Sequence, residues 1–357
     1  MNPTYACDGS AEFNRRLHEV VERIAADAEK TLGDNLVSLI LGGGYGRGEG
    51  GVQTVDGVEM PYNDLDFTLV VRNKSTVPWS ELDAISHRYA DELKIHVDFS
   101  RPLTLQDIQV WPHWLMWYDL LNGHIVLKGA ADILQRHAPF YLKKPLPLIE
   151  GTRLLLNRGA GMLWALRILR GAEESSDADF VRRNYYKCAL ALGDALLMAY
   201  GRYTSVYHDR AEKFAALDRD VPEVASFQLA PLYDEALRFK FRPSEFPQQG
   251  FDENRLQELL QLWGKVFLSI EQRRTGRRWP DLAAYAAWRG VREADQHTLI
   301  KRMRNIVRNL QMGQWSWLYP REQLYRELPV LLGLTGAQVP DWDAKSAAFM
   351  KIWDRFN

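Results

Sequence analysis

The sequence predicts an α+β protein: a small mixed β-sheet domain flanked by helices, followed by an all-α domain. Three observations carry that expectation. Over roughly the first 140 residues, helix-periodic runs alternate with short apolar runs of strand type. Beyond Pro145–Pro147 helical periods continue while strand signals almost vanish. The 357 residues, 46% of them hydrophobic, suffice for roughly two domains with their own cores.

Phe13, Leu17, Val20, Val21 and Ile24 recur at helical spacing and predict a first helix that stops near Gly33. Leu36–Leu41 is a short β-type run ending in glycines, and Leu65–Val71 is a second, after a Pro61-Tyr62-Asn63 turn. Pro78 suits the first turn of a helix over residues 79–93. Lys94–Phe99 alternates with period two and predicts a third strand. Gly123–Gly129 predicts a fourth, followed by a helix near Ala131–His137. In the second half, helices are expected near 154–169, 180–200, 256–272, 295–311 and 342–353. The Lys143-Lys144-Pro145-Leu146-Pro147 segment marks the boundary, giving expected domains of 1–145 and 146–357.

Composition excludes several classes of function. With 45 Lys+Arg against 46 Asp+Glu, the formal charge is −1, without the basic excess of a protein that coats nucleic acid. Cys7 and Cys188 are too few for a disulfide framework or a cysteine-based zinc site, and they fit a reducing compartment. The eight histidines show no His-x-x-x-His spacing, so zinc is not expected. No run reaches the roughly 18 apolar residues of a membrane helix. The most apolar window, Ala189–Tyr200, is broken by Gly193 and Asp194. The N-terminus lacks signal-peptide character. A soluble, cytoplasmic protein with no membrane partner is expected.

Seven glycines crowd residues 42–51, directly after the first strand. Glycine at a strand end lets backbone N–H groups approach an anion and permits positive φ. Alone, such a stretch is more often a flexible loop than a phosphate cradle. It lacks the Gly-Lys-Ser/Thr of a Walker loop and the following helix of a dinucleotide fold. Asp64 and Asp66 then stand two apart at the head of an apolar strand. Period two puts both on one face, roughly 6–7 Å apart. Like charges so placed are unfavourable unless neutralised, and Mg²⁺ takes oxygen ligands together with substrate phosphates. Asp98, about thirty residues on, arrives on the next strand. If the strands are adjacent, three carboxylates meet beside an anion loop, the arrangement for two metals in an in-line phosphoryl displacement.

These residues resemble the DNA polymerase β superfamily of nucleotidyltransferases. The family pattern is a strand, Gly-Gly or Gly-Ser, a loop often carrying Arg-Gly-Glu, then Asp-x-Asp on a strand and a later acidic residue. The matching parts are Gly43-Gly44, Arg47-Gly48-Glu49, Asp64 with Asp66, and Asp98, and the Gly123–Gly129 strand resembles the family's next sheet element. About nineteen residues separate Gly44 from Asp64, longer than the family's gap. Residues 51–60 look like an inserted hairpin around Asp56-Gly57.

The resemblance implies transfer of a nucleoside monophosphate from an NTP, ATP being favoured, to a hydroxyl or similar nucleophile, with release of pyrophosphate. It implies Asp64 and Asp66 as Mg²⁺ ligands, with Mn²⁺ able to substitute. Asp98 would complete the second metal site and help deprotonate the acceptor. Gly43 and Gly44 would grip phosphates. Arg47 is either a phosphate contact or a solvated loop arginine, and Glu49 braces the loop. The helical domain would form the other wall of the cleft. There Lys187 is a candidate triphosphate contact. Asp194 is a candidate acceptor base or else a buried partner for Lys187 or Arg183.

Tyr203, Ser205, Tyr207, His208, Arg210 and Lys213 form a polar connection suited to a base or phosphate, or simply a solvated loop. Trp111, Trp114 and Trp117 read as a core or interface stripe. Arg273, Arg274, Arg277 and Arg278, with Lys301, Arg302, Arg304 and Arg308, read as a solvated helical face more readily than an RNA surface. The near-zero charge favours a small-molecule or protein acceptor. The alternatives are an RNA-directed enzyme of toxin type and a non-catalytic regulatory or antitoxin component on the same scaffold. The presence of all three carboxylates argues against the last.

Overall fold

The computed structural model describes residues 3–175, 177–313 and 315–356. The chain is α+β and divides into two compact units. The first comprises Met1–Leu146 and also takes in Tyr203–Lys213 and Leu237–Pro247 from the second half; the second comprises Pro147–Arg202, Phe214–Ala236 and Gln248–Asn357.

In the first unit, helix α1 (Ala11–Leu32) starts where the Ser10 side chain accepts the Phe13 N–H and stops at Gly33. Strand β1 (Leu36–Leu41) leads into one helical turn, α2 (Gly43–Gly46). A hairpin of β2 (Val52–Val55) and β3 (Val58–Pro61) follows. Its central residues Asp56 and Gly57 both have positive φ, 50° and 79°, as a two-residue hairpin turn requires. Strand β4 (Leu65–Val71), helix α3 (Trp79–Leu93) and strand β5 (Val97–Phe99) make a parallel crossover. Helices α4 (Leu105–Gln109) and α5 (Leu115–Asn122), strand β6 (Ile125–Lys128) and helix α6 (Ile133–His137) complete it.

The sheet order is β5-β4-β1-β6, with β1 antiparallel to both β4 and β6. Alternation along β4 sorts its residues. Leu65, Phe67, Leu69 and Val71 enter the core shared with α1 and α3. Val70 enters the opposite core, with Ile40, Ile108, Leu120 and Leu134. Burying each such side chain contributes about 1.5–3 kcal/mol, which fixes the register, since a one-residue slip would turn this set to the other face.

The expected third strand over 94–99 is shorter. Lys94 caps α3 in the left-handed region (φ 58°) and returns its N–H to Ala90 O, so pairing begins only at Val97. The tryptophans 111, 114 and 117 do not share one helix, because α4 ends at Gln109 and α5 starts at Leu115. Trp111 is buried and stacks on Trp117 at 4.2 Å, whereas Trp114 is 40% exposed.

The second unit is helical: α7 (Leu148–Leu169), α8 (Phe180–Ala199), α12 (Glu253–Thr275), α13 (Leu282–Ala287), α14 (Leu299–Leu310), α15 (Arg321–Leu331) and α16 (Trp342–Phe356). Between α8 and α12 run α9 (Tyr207–Asp220), α10 (Pro222–Ala225) and α11 (Ala230–Phe241). Trp263 is fully buried, donates to Leu155 O at 3.0 Å and stacks on Phe267. No helix among the described residues is long and apolar enough to cross a membrane.

Candidate active site

The register of β4 and β5 brings two acidic residues face to face. Leu65 pairs with Val97, Asp66 with Asp98 and Phe67 with Phe99. Because the flanking pairs pack into the α1/α3 core, period two turns Asp66 and Asp98 to the other face, where both are exposed. Neighbouring strands lie about 4.8 Å apart, so the two carboxylates stand side by side on one face of the sheet. Asp64, one residue before β4, is also exposed.

The glycine turn abuts the same point. Gly42 donates its N–H to Asp66 O at 2.8 Å. Gly43 has φ +63°, and a Cβ there would stand 2.5 Å from Asp66 Oδ2. Only glycine therefore lets the turn pass the carboxylate. Gly43→Ala is expected to lose about 1–2 kcal/mol of stability from the left-handed backbone alone, read from denaturant unfolding.

The hairpin leaves and rejoins the chain at one place. Gly51 O accepts from both the Tyr62 N–H (3.1 Å) and the Tyr45 hydroxyl (2.7 Å), and Gly51 N–H reaches Asn63 Oδ1 at 2.7 Å. The buried Tyr45 oxygen also accepts from Tyr62 N–H at 2.9 Å. Burial is the main reason its phenol is held well above the usual range. Residues 52–61 are thus an excursion whose ends are tied together just before β4, next to Asp64 and Asp66.

Arg47 is no solvated loop arginine. Its side chain is 10% exposed, lies 5.5 Å from the Tyr207 ring and approaches Glu49 at 3.8 Å. Its Nε has no hydrogen-bond partner among the described residues. Glu49 is buried and does more than brace its own loop. Its carboxylate accepts the Tyr207 N–H at 3.0 Å and the His208 N–H at 3.2 Å, the free donors at the start of α9.

The polar connection after α8 is not a solvated loop either. Arg210 is 1% exposed, lies 3.8 Å from the Tyr207 ring centre and donates to the Tyr203 hydroxyl at 2.6 Å. Tyr203 in turn donates to Asp119 at 3.0 Å.

Lys240 is the residue that sequence reading missed. Its Nζ donates to Glu49 O at 3.1 Å and lies 4.4 Å from the Tyr207 ring centre. A Cβ on Gly44 would be 3.3 Å from that nitrogen, so the ammonium sits against the glycine turn. Burial, aided by the nearby Arg47 charge, pushes Lys240 down to about 7, against the opposing pull of Glu49. The one available signal was a lysine set between two aromatic residues, Phe239 and Phe241, both of which are buried.

Lys187 and Asp194 both lie on α8 in the second unit. Asp194 is buried and accepts the Tyr233 hydroxyl at 2.7 Å. Arg183 pairs with Asp177. In the basic clusters, Arg274 pairs with Glu271, and Arg273 donates to Ala199 O over the Tyr200 ring.

Two donor sets could hold a cation. Asp64, Asp66 and Asp98 offer hard oxygen ligands suited to Mg²⁺. Cys7, Asp8 and His208 place a sulfur, a carboxylate oxygen and an imidazole nitrogen within 4.8 Å of one another, a softer set. His208 stands 201 positions from Cys7, beyond the reach of any spacing rule.

Against known proteins the matches are few. No protein-family model matches the chain, and no curated protein does. Among solved structures it is similar to the crystal structure of spectinomycin adenyltransferase AAD(9) from Enterococcus faecialis with ATP and spectinomycin. That likeness has 14% identity and a TM-score of 0.42, and it covers 70% of this chain and 98% of that one.

Proposed function

We propose that this chain is a Mg²⁺-dependent nucleotidyltransferase. It would move a nucleoside monophosphate from an NTP, with ATP the favoured donor, to a hydroxyl of a small-molecule or protein acceptor and release pyrophosphate. The observation that carries this reading is the pairing of Asp66 with Asp98 across β4 and β5, with Asp64 two residues away and the Gly43–Gly44 turn against Asp66. The exposed oxygen donors, with the glycine turn packed against Asp66, suit a hard divalent ion that would also take phosphate oxygens.

Asp64 and Asp66 would hold Mg²⁺ or Mn²⁺, with Asp98 completing the set. When bound, the ions would neutralise charge that develops on the transferred phosphoryl group. Backbone N–H groups at Gly43 and Gly44 and the guanidinium of Arg47 would orient the terminal phosphates, as forked donors match phosphate oxygens. Asp98, being exposed, is better placed than Asp194 to take the acceptor's proton, since Asp194 would first have to give up Tyr233. The near-zero net charge favours a small acceptor over a polynucleotide.

Lys240 supplies a thermodynamic signature. Near pH 8 a lysine held at about 7 is mostly neutral, and a triphosphate drawn against it would restore the charge. Nucleotide binding should then take up as much as about one proton. Titration calorimetry in two buffers of different ionisation enthalpy would show this for the wild type and not for Lys240→Met. Equal heats in both buffers would remove Lys240 from the site.

The activity itself is tested by incubating the protein with each labelled NTP and a cell extract. Labelled pyrophosphate should appear only with Mg²⁺ or Mn²⁺, and the size class that gains the nucleotide identifies the acceptor. Release without a divalent ion would contradict the proposal.

A further inference from the structure

Helix α14 buries its amides and exposes its hydrocarbon. Asn305 and Asn309 are its buried residues. Their side chains donate to the backbone oxygens of Gln296, Asn305, Ser316 and Leu318 at 2.7–3.0 Å. Leu299, Ile300, Met303, Val307 and Leu310 face solvent at 82, 69, 67, 54 and 52% exposure. At 100° per residue these five, with half-buried Ile306, form one unbroken stripe. Isolated exposed leucines are ordinary, whereas a contiguous apolar face marks an interaction surface.

The borders of the stripe indicate what covers it. Going round the helix, Arg302 flanks it on one side and Arg304 on the other, with Lys301 and Arg308 beyond. Leu299–Leu310 contains no Asp or Glu. Trp315 and Trp317 follow at 79 and 45% exposure, and Arg302 lies 4.7 Å from the Trp317 ring centre. A second copy of the same face would set arginine against arginine along both edges. An anionic lipid surface complements both borders and receives tryptophan at its headgroup level.

We infer that α14 is a membrane-surface anchor: it lays its apolar stripe into the interface of an anionic bilayer, with Arg302 and Arg304 on headgroup phosphates. Such a helix lies in the plane of the membrane and needs no spanning run. The site lies wholly within the second unit and does not depend on nucleotidyl transfer.

The test is co-sedimentation of the full chain with vesicles of phosphatidylcholine, with and without phosphatidylglycerol. Binding is expected on the mixed vesicles and should weaken as salt rises. Arg302→Gln with Arg304→Gln should weaken it roughly thirtyfold at low salt. Met303→Asp with Val307→Asp should abolish it, and since both side chains are more than half exposed, thermal melting should stay unchanged. Failure to bind phosphatidylglycerol vesicles would overturn the proposal, as would equal binding by the Asp variant. A wild-type dimer in sedimentation velocity that this variant turns into a monomer, with no lipid binding, would assign the stripe to a second copy instead.

Discussion

Replacing Asp66 and Asp98 together with asparagine is expected to remove divalent-metal-dependent pyrophosphate release while leaving the fold intact. Both residues are exposed and asparagine keeps the shape of aspartate, so neither substitution opens a cavity. Surface changes of this kind usually move stability by about 0.5 kcal/mol or less. The loss of activity should be far larger. Metal-held charge stabilisation is worth several kcal/mol in the transition state, so turnover should fall on the order of a thousandfold or more. A second readout separates binding from chemistry. Mg²⁺ with an NTP should raise the melting temperature of the wild type, because ligands that bind only the native state stabilise it. The double variant should lose most of that increment. A variant that turns over at the wild-type rate would mean the paired aspartates are ordinary exposed residues of the sheet.

The fold was legible where a single segment contains its own instructions. Leu36–Leu41 and Leu65–Val71 are strands at the limits their apolar runs suggest, and Asp56-Gly57 makes the hairpin turn that its residue types favour. The pairing of Asp66 with Asp98 is a different kind of fact. Composition predicts that both strands exist, but only the α3 crossover and the β4 core residues fix which positions meet. Glu49 and Lys240 show the limit of linear reading. One caps a helix that begins over 150 residues later, and the other, 191 residues from Glu49, comes from α11 to sit against Gly44. The third strand was overestimated because period-two alternation through Lys94–His96 carries no information about a left-handed helix cap. The stripe on α14 was visible as residue types, yet its direction was not. Amphipathic spacing normally turns the apolar side inward, and here the buried asparagines reverse it.

The largest stability effect is expected in the second unit, at Glu293. Its carboxylate is fully enclosed, accepts from Arg321, from Arg153 at 2.7 Å and from the Tyr325 hydroxyl at 2.8 Å, and carries no exposed surface. Burial alone would raise its pKa, but Arg321 and Arg153 outweigh it and hold the group down to about 2. Glu293→Gln keeps the shape and removes the charge. Arg321 then loses its carboxylate partner while Arg153 is left with Glu150 and Asp295, and breaking such a buried pair typically costs about 3–5 kcal/mol. Urea unfolding at neutral pH should show that loss. The pH dependence follows from the direction of the shift. A carboxylate that is more acidic folded than unfolded stabilises the native state above its unfolded value and gives that up as pH falls toward the folded one. The gap between wild type and variant should therefore be full above about pH 5 and should narrow by about pH 3. Glu322, held up mainly by burial, works in the opposite sense, gaining from protonation in the folded state, and so it blunts the acid limb in both proteins. The Glu293 charge is among the causes that raise Glu322, so Glu293→Gln eases that shift as well and the difference between the proteins carries both effects. A gap that stays constant from about pH 7 to about pH 3 would mean the carboxylate contributes shape and hydrogen bonds but no charge.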